Sequence, residues 1–115
     1  MRRVLLVDDE PEVLEAWSFA LAYAGYQVDC ARNGAEALNL VTIHIPDLVV
    51  TDLMMPVMGG KDLCRALRDN PAWRHIPILL HTSARVGPTE LWDAALRKPA
   101  HMETFLATAE RLIRG

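Results

Sequence analysis

Arg3-Val-Leu-Leu-Val-Asp-Asp9 is a short apolar run that stops on two acids, and Asp47-Leu-Val-Val-Thr-Asp52 repeats the pattern further along the chain. Continuous apolar runs of this length, without alternation, read as strands buried on both faces, as in parallel sheets. Outward from the first run, Pro11 suits the first turn of a helix, and Val13, Trp17, Ala20, Leu21 and Ala24 recur at three- and four-residue spacing until Gly25 stops it. Gln27 to Ala31 reads as a second strand, and Asn33-Gly-Ala-Glu36 has the capping-box arrangement that opens a helix through Ala37, Leu38 and Val41. Beyond the second run, Pro56 and Gly59-Gly60 mark a loop. A helix over Lys61 to Arg68 ends at Asn70-Pro71, and Ile76 to Thr82 forms a fourth strand. Ala94 to Lys98 is a weaker fifth strand, and Met102, Phe105, Leu106, Ala109, Leu112 and Ile113 outline a final amphipathic helix. Strands alternating with helices imply parallel crossovers, hence a doubly wound α/β fold. The expected architecture is a flavodoxin-like five-stranded parallel sheet in the order 2-1-3-4-5.

The 115 residues, 51% hydrophobic, suit one domain spanning 1–115. Chains of this size bury about two-thirds of the surface they expose when unfolded, so the core needs no staple. The net charge is -3, with no Lys/Arg block, which argues against direct nucleic-acid or anionic-membrane binding. No apolar run approaches the roughly 18 to 20 residues of a bilayer span, and no signal-peptide pattern opens the chain, so a cytoplasmic location is expected. Cys30 and Cys64 form neither a disulfide framework nor a zinc spacing. His44, His75, His81 and His101 likewise lack metal spacing, and His81 reads as packed or hydrogen-bonded within the fourth strand. Trp17, Phe19, Tyr23 and Tyr26 read as core and rim.

Parallel strands lie about 4.8 Å apart, so Asp8 and Asp9 after the first strand and Asp52 after the third must meet at one rim of the sheet. Two unit charges about 5 Å apart repel by roughly 3 kcal/mol at an effective dielectric near 20, and a hard divalent cation is the natural counter-charge. Mg²⁺, held by one or two carboxylates and retaining waters, suits this set better than an all-protein Ca²⁺ cage. An Asp-Asp pair alone usually marks a strand end or a helix cap. Here a second strand also ends in acid, Thr82 ends the fourth, and Lys98-Pro99 follows the fifth. A carboxylate nucleophile that takes up a phosphoryl group needs a bound metal, a hydroxyl donor and a cation, and these strand ends supply acids to hold the metal, the Thr82 hydroxyl and the Lys98 ammonium.

The stretches Val4 to Glu10, Asn33 to Leu38 and Pro46 to Gly60, with Thr82 and Lys98-Pro99, resemble the receiver domains of two-component response regulators over essentially the whole chain. The resemblance implies that Asp52 accepts a phosphoryl group from a histidine kinase or phosphotransfer protein. It implies Mg²⁺ on Asp9, Asp52 and the Met54 carbonyl, with Asp8 reaching the metal through water. Thr82 would be the switch hydroxyl, Lys98 would pair with the phosphoryl group, and the Lys98-Pro99 bond would be cis. Ser83 beside Thr82 is the alternative hydroxyl, although the spacing from Pro77 favours Thr82.

The chain departs from the family pattern after the fourth strand. Arg85 to Ala95 must hold both the usual fourth helix and the entry to the fifth strand, and Gly87-Pro88 interrupts it, so that helix is expected to be shortened or absent. Ala95 stands where an aromatic commonly sits, three residues before the lysine, so ordinary aromatic switching cannot operate. The resemblance implies that the positions two residues after the phosphoacceptor and two after the switch hydroxyl tune phosphoryl lifetime; here they are Met54 and Ala84, neither of which can hydrogen-bond a hydrolytic water through its side chain, so slow dephosphorylation is expected. The alternative from another class is a degenerate receiver acting as a phosphorylation-independent interaction or dimerisation module; a homodimer stays open on either reading. An aspartyl phosphatase would want an acid at Met54, and a flavin carrier a Ser/Thr/Gly-rich loop where Asp9-Glu10-Pro11 stands.

Overall fold

The computed structural model describes residues 1–115. Strands β1 (Arg3–Val7), β2 (Gln27–Ala31), β3 (Leu48–Thr51), β4 (Ile78–Thr82) and β5 (Ala94–Arg97) are joined by α1 (Pro11–Tyr23), α2 (Gly34–Ile43) and α3 (Gly60–Asp69), and α4 (Met102–Arg114) follows β5. All neighbouring strands pair in parallel, in the order β2-β1-β3-β4-β5. This is the flavodoxin-like arrangement that the alternation of elements predicts.

Successive side chains of a strand point to opposite faces, so an unbroken apolar strand serves two cores. Leu5, Val7, Val49 and Leu80 pack with Ala37 and Val41 of α2 and with Leu63 and Leu67 of α3. Val4, Leu6, Val50 and Leu79 face the other way, against Leu21 of α1 and Phe105 of α4. The central strands β1, β3 and β4 are thereby covered on both sides, and the ends of the strands are left to present polar groups.

Local chemistry sets the helix boundaries. The Asn33 side chain accepts the Glu36 N–H at 2.9 Å, while Glu36 reaches back to the Arg32 N–H at 3.1 Å, a capping box displaced by one residue. Gly25 adopts φ +103, which turns the chain from α1 into β2 at little cost only without a side chain. A Cβ on Gly60 would overlap the Asp52 carbonyl, and the Gly60 N–H donates to the Leu53 carbonyl at 2.9 Å. The start of α3 is therefore tied against the end of β3.

No helix forms between β4 and β5. Instead Val86, Leu91 and Trp92 pack, half-buried, on the core beneath α2 and α3. The Asp93 carboxylate accepts the Ile78 N–H at 2.7 Å and the Arg68 guanidinium at 2.9 Å, pinning the end of this segment to the start of β4. On α1, Trp17 packs on the core, whereas Phe19 and Tyr23 are 73% and 88% exposed and belong to neither core nor rim. Two residues along a helix is a rotation of about 200°, which carries Phe19 away from the face that Trp17 buries. No helix is long and apolar enough to cross a membrane.

Candidate functional site

Val7 and Thr51 are register partners, so the next residues, Asp8 and Asp52, leave adjacent strands at the same level. Their backbones remain tied in: the Asp8 N–H donates to the Ala31 carbonyl and the Asp52 N–H to the Val7 carbonyl, both at 3.0 Å. Asp8 and Asp52 are buried. Glu10, the extended residue before α1, donates its N–H to the Asp8 carboxylate at 3.0 Å. Carboxylate oxygens of Asp8, Glu10 and Asp52 lie within 4.8 Å of one another.

Lys98 emerges from β5 into this group. Its Nζ lies 2.9 Å from Asp8, 3.1 Å from Asp52 and 3.2 Å from Glu10. Its backbone N–H donates to the Thr82 carbonyl at 2.9 Å, and the Lys98-Pro99 peptide is cis. Thr82 is buried and its hydroxyl accepts the Ala84 N–H at 3.3 Å, whereas Ser83 is exposed, so Thr82 is the hydroxyl on the inner side of the site. Asp9 is exposed and takes no part in the three-carboxylate cluster, and Met54 is exposed at the mouth. The structure thus gathers Asp8, Asp52, Thr82 and Lys98 and adds Glu10. The third acid of the Asp8-Asp9-Glu10 run was the available signal for it, but beyond a strand end the two-residue alternation no longer says which acid turns inward.

Three carboxylates face one ammonium, so two negative charges remain uncompensated if all are ionised. Burial raises the Asp8 carboxyl above its usual range despite the Lys98 contact. Burial pulls Asp52 the same way, but there the Thr82 hydroxyl, the Lys98 ammonium and the Leu53 N–H, which donates at 2.7 Å, prevail and hold the carboxyl below its usual range. Asp52 is therefore ionised at neutral pH. Lys98 is raised: burial opposes its charge, and hydrogen bonds to Asp8 and Asp52 outweigh it. A crowded set of hard oxygen donors with residual negative charge is chemically suited to Mg²⁺.

The sequence of residues 4–108 matches the response regulator receiver domain family, and the chain belongs to it. It is 39% identical over 118 residues to the response regulator MprA of Mycobacterium sp. (strain KMS), covering 97% of this chain and 50% of that protein. The chain thus spans about half the length of the curated relatives it matches. Among solved structures it is similar to the signal receiver domain of a signal transduction histidine kinase from Syntrophus aciditrophicus, at 32% identity and TM-score 0.91, covering 100% of this chain and 92% of that one. It is also similar to the response regulator TrrA of Thermotoga maritima, solved in complex with Mg²⁺-BeF, at 28% identity and TM-score 0.89, covering 97% and 99%. Receiver domains of this family are signalling domains rather than conventional enzymes.

Proposed function

We propose that residues 1–115 act as one phosphoacceptor receiver domain, which takes a phosphoryl group on Asp52 from a histidine kinase or phosphotransfer protein. The observation that carries this reading is the buried, ionised Asp52 beside the Lys98 ammonium, with Asp8 and Glu10 in the same cluster. An Asp52 carboxylate oxygen forms the new P–O bond while the donor's P–N bond breaks and its electron pair returns to the imidazole nitrogen. Lys98 exchanges part of its carboxylate contacts for a phosphoryl oxygen, and Thr82 moves its hydroxyl toward another, signalling occupancy to the β4–β5 segment. Mg²⁺ would be held by Asp9, Asp52 and the Met54 carbonyl, with Asp8 through water and Glu10 alongside, and when bound it draws charge off the transferred group. That the Thermotoga relative is solved in complex with Mg²⁺-BeF supports the choice of Mg²⁺ as the metal.

Hydroxylamine converts an acyl phosphate to a hydroxamate. After treatment with acetyl phosphate and Mg²⁺, peptide mapping should place the hydroxamate on Asp52; unmodified Asp52, or the mark on another acid, would overturn the assignment. A second reading, a phosphorylation-independent interaction module, draws on the missing helix between β4 and β5 and on Ala95 at the aromatic position. It predicts no hydroxamate at all.

A further inference from the structure

We propose that a second copy of this chain seats its α1 helix in the groove along β5, giving head-to-tail self-association. A recess of about 400 Å³, lined by Thr82, Arg85, Val86, Ala95, Leu96 and Arg97, opens beside β5. A neighbouring recess of about 310 Å³ shares Val86 and Ala95 and continues to Trp92. Together they make one groove, present because no helix follows β4 and because Ala95 offers only a methyl group. Its upper end is cationic: Arg85 and Arg97 are both exposed and neither is paired with an acid. Its lower end carries the Trp92 ring on the wall, beside Asp93, whose carboxylate is already held by Arg68 and by the Ile78 N–H.

The complementary shape stands on the same molecule. Glu12, Glu15, Phe19 and Tyr23 are exposed on α1, and Glu15, Phe19 and Tyr23 follow one another at four-residue spacing on one stripe. The stripe is acidic at its start and aromatic at its end. Glu15 to Tyr23 rises about 12 Å along a helix, and Ala94 to Arg97 spans about 10 Å of strand, so the two features match in length as well as in charge order. Docked, the Glu12 and Glu15 carboxylates meet Arg85 and Arg97, the Phe19 ring enters the recess above Ala95, and Tyr23 lies toward Trp92. Each copy gives one surface and receives with another, a heterologous contact. The proposal does not rest on phosphoryl uptake, so Asp52→Asn should associate as the wild type does.

Sedimentation velocity at rising concentration tests it with variants confined to exposed side chains. The wild type should exceed its 12.9 kDa monomer mass as concentration rises. Phe19→Ser/Tyr23→Ser loses the stripe and keeps the groove; Arg85→Glu/Arg97→Glu does the reverse. Each alone should remain monomeric, and an equimolar mixture should form a pair of twice the monomer mass and nothing larger. Ala95→Trp, which fills the recess from within, should also abolish association. A monomeric wild type at millimolar concentration, a stripe or groove variant that still assembles, or a mixture that stays monomeric overturns the proposal. The first of these outcomes would leave the groove to a different protein.

Discussion

Replacing His81 by leucine should stabilise the fold at neutral pH and remove most of its sensitivity to mild acid. The His81 ring is 2% exposed, 4.9 Å from the ring of Trp17 and 5.4 Å from that of Phe105, and neither nitrogen has a hydrogen-bond partner in the protein. A buried polar group without a partner costs about 1–3 kcal/mol, and leucine fills similar space without that penalty, so His81→Leu should gain about 1–2 kcal/mol. Burial, helped by the nearby Lys98 charge and opposed by Asp52 and Glu10, lowers the imidazole pKa from 6.5 to about 4. The sign follows from where protons bind. Below pH 6.5 the unfolded chain protonates this histidine while the folded chain does not, so stability is lost as pH falls until the folded pKa is reached. Each full pH unit in that window is worth about 1.4 kcal/mol. Between about pH 7.5 and about pH 4.5, wild type should therefore lose about 2.5 kcal/mol more than His81→Leu does. Urea unfolding of both proteins at the two pH values measures this difference directly, and other titrating groups cancel in the comparison. An equal loss in both, or a leucine variant less stable than wild type at neutral pH, would refute the reasoning.

Further outcomes follow from the site and its loops. Mg²⁺ should raise the melting midpoint, because two negative charges among Asp8, Glu10 and Asp52 are left over from Lys98; Asp8→Asn should stabilise the metal-free protein and weaken the Mg²⁺ response, and an unchanged response would contradict this. Val57 holds φ +69, unfavourable for a β-branched residue, and is 86% exposed, so Val57→Gly should add about 1 kcal/mol, roughly 4 °C in a thermal melt; a lower midpoint would show that the surrounding loop depends on the valine. Met54→Asn and Ala84→Glu, made singly, should each shorten the phosphorylated state's half-life by about tenfold, equivalent to 1.4 kcal/mol of barrier. A half-life unchanged or lengthened in both would remove these positions from control of the lifetime.

Much of the architecture was legible because local and global signals agree in it. The apolar runs ending in Asp8 and Asp52 demand burial on both faces, and the Asn33 capping box fixes the start of α2 within a residue. The absent helix was readable as well, since eleven residues interrupted by Gly87-Pro88 leave no room for it. The site was legible in part: strand register brings Asp8, Asp52, Thr82 and Lys98 together, but the way Asp8-Asp9-Glu10 turns after β1 depends on the cap of α1 and on the pull of Lys98. Phe19 and Tyr23 were misread because aromatic side chains suggest burial, whereas the phase of α1, set by Trp17 and Leu21, puts them in water. The unpartnered ring of His81 and the positive φ of Val57 leave no trace in composition or periodicity, since both arise only from tertiary packing.

The most direct test of the central claim is the intact-protein mass after incubation with acetyl phosphate and Mg²⁺, run beside Asp52→Asn and a chelated control. Gain of one phosphoryl group by the wild type alone is the predicted result. No gain in a folded wild type, or an equal gain in Asp52→Asn, would contradict a phosphoacceptor at Asp52.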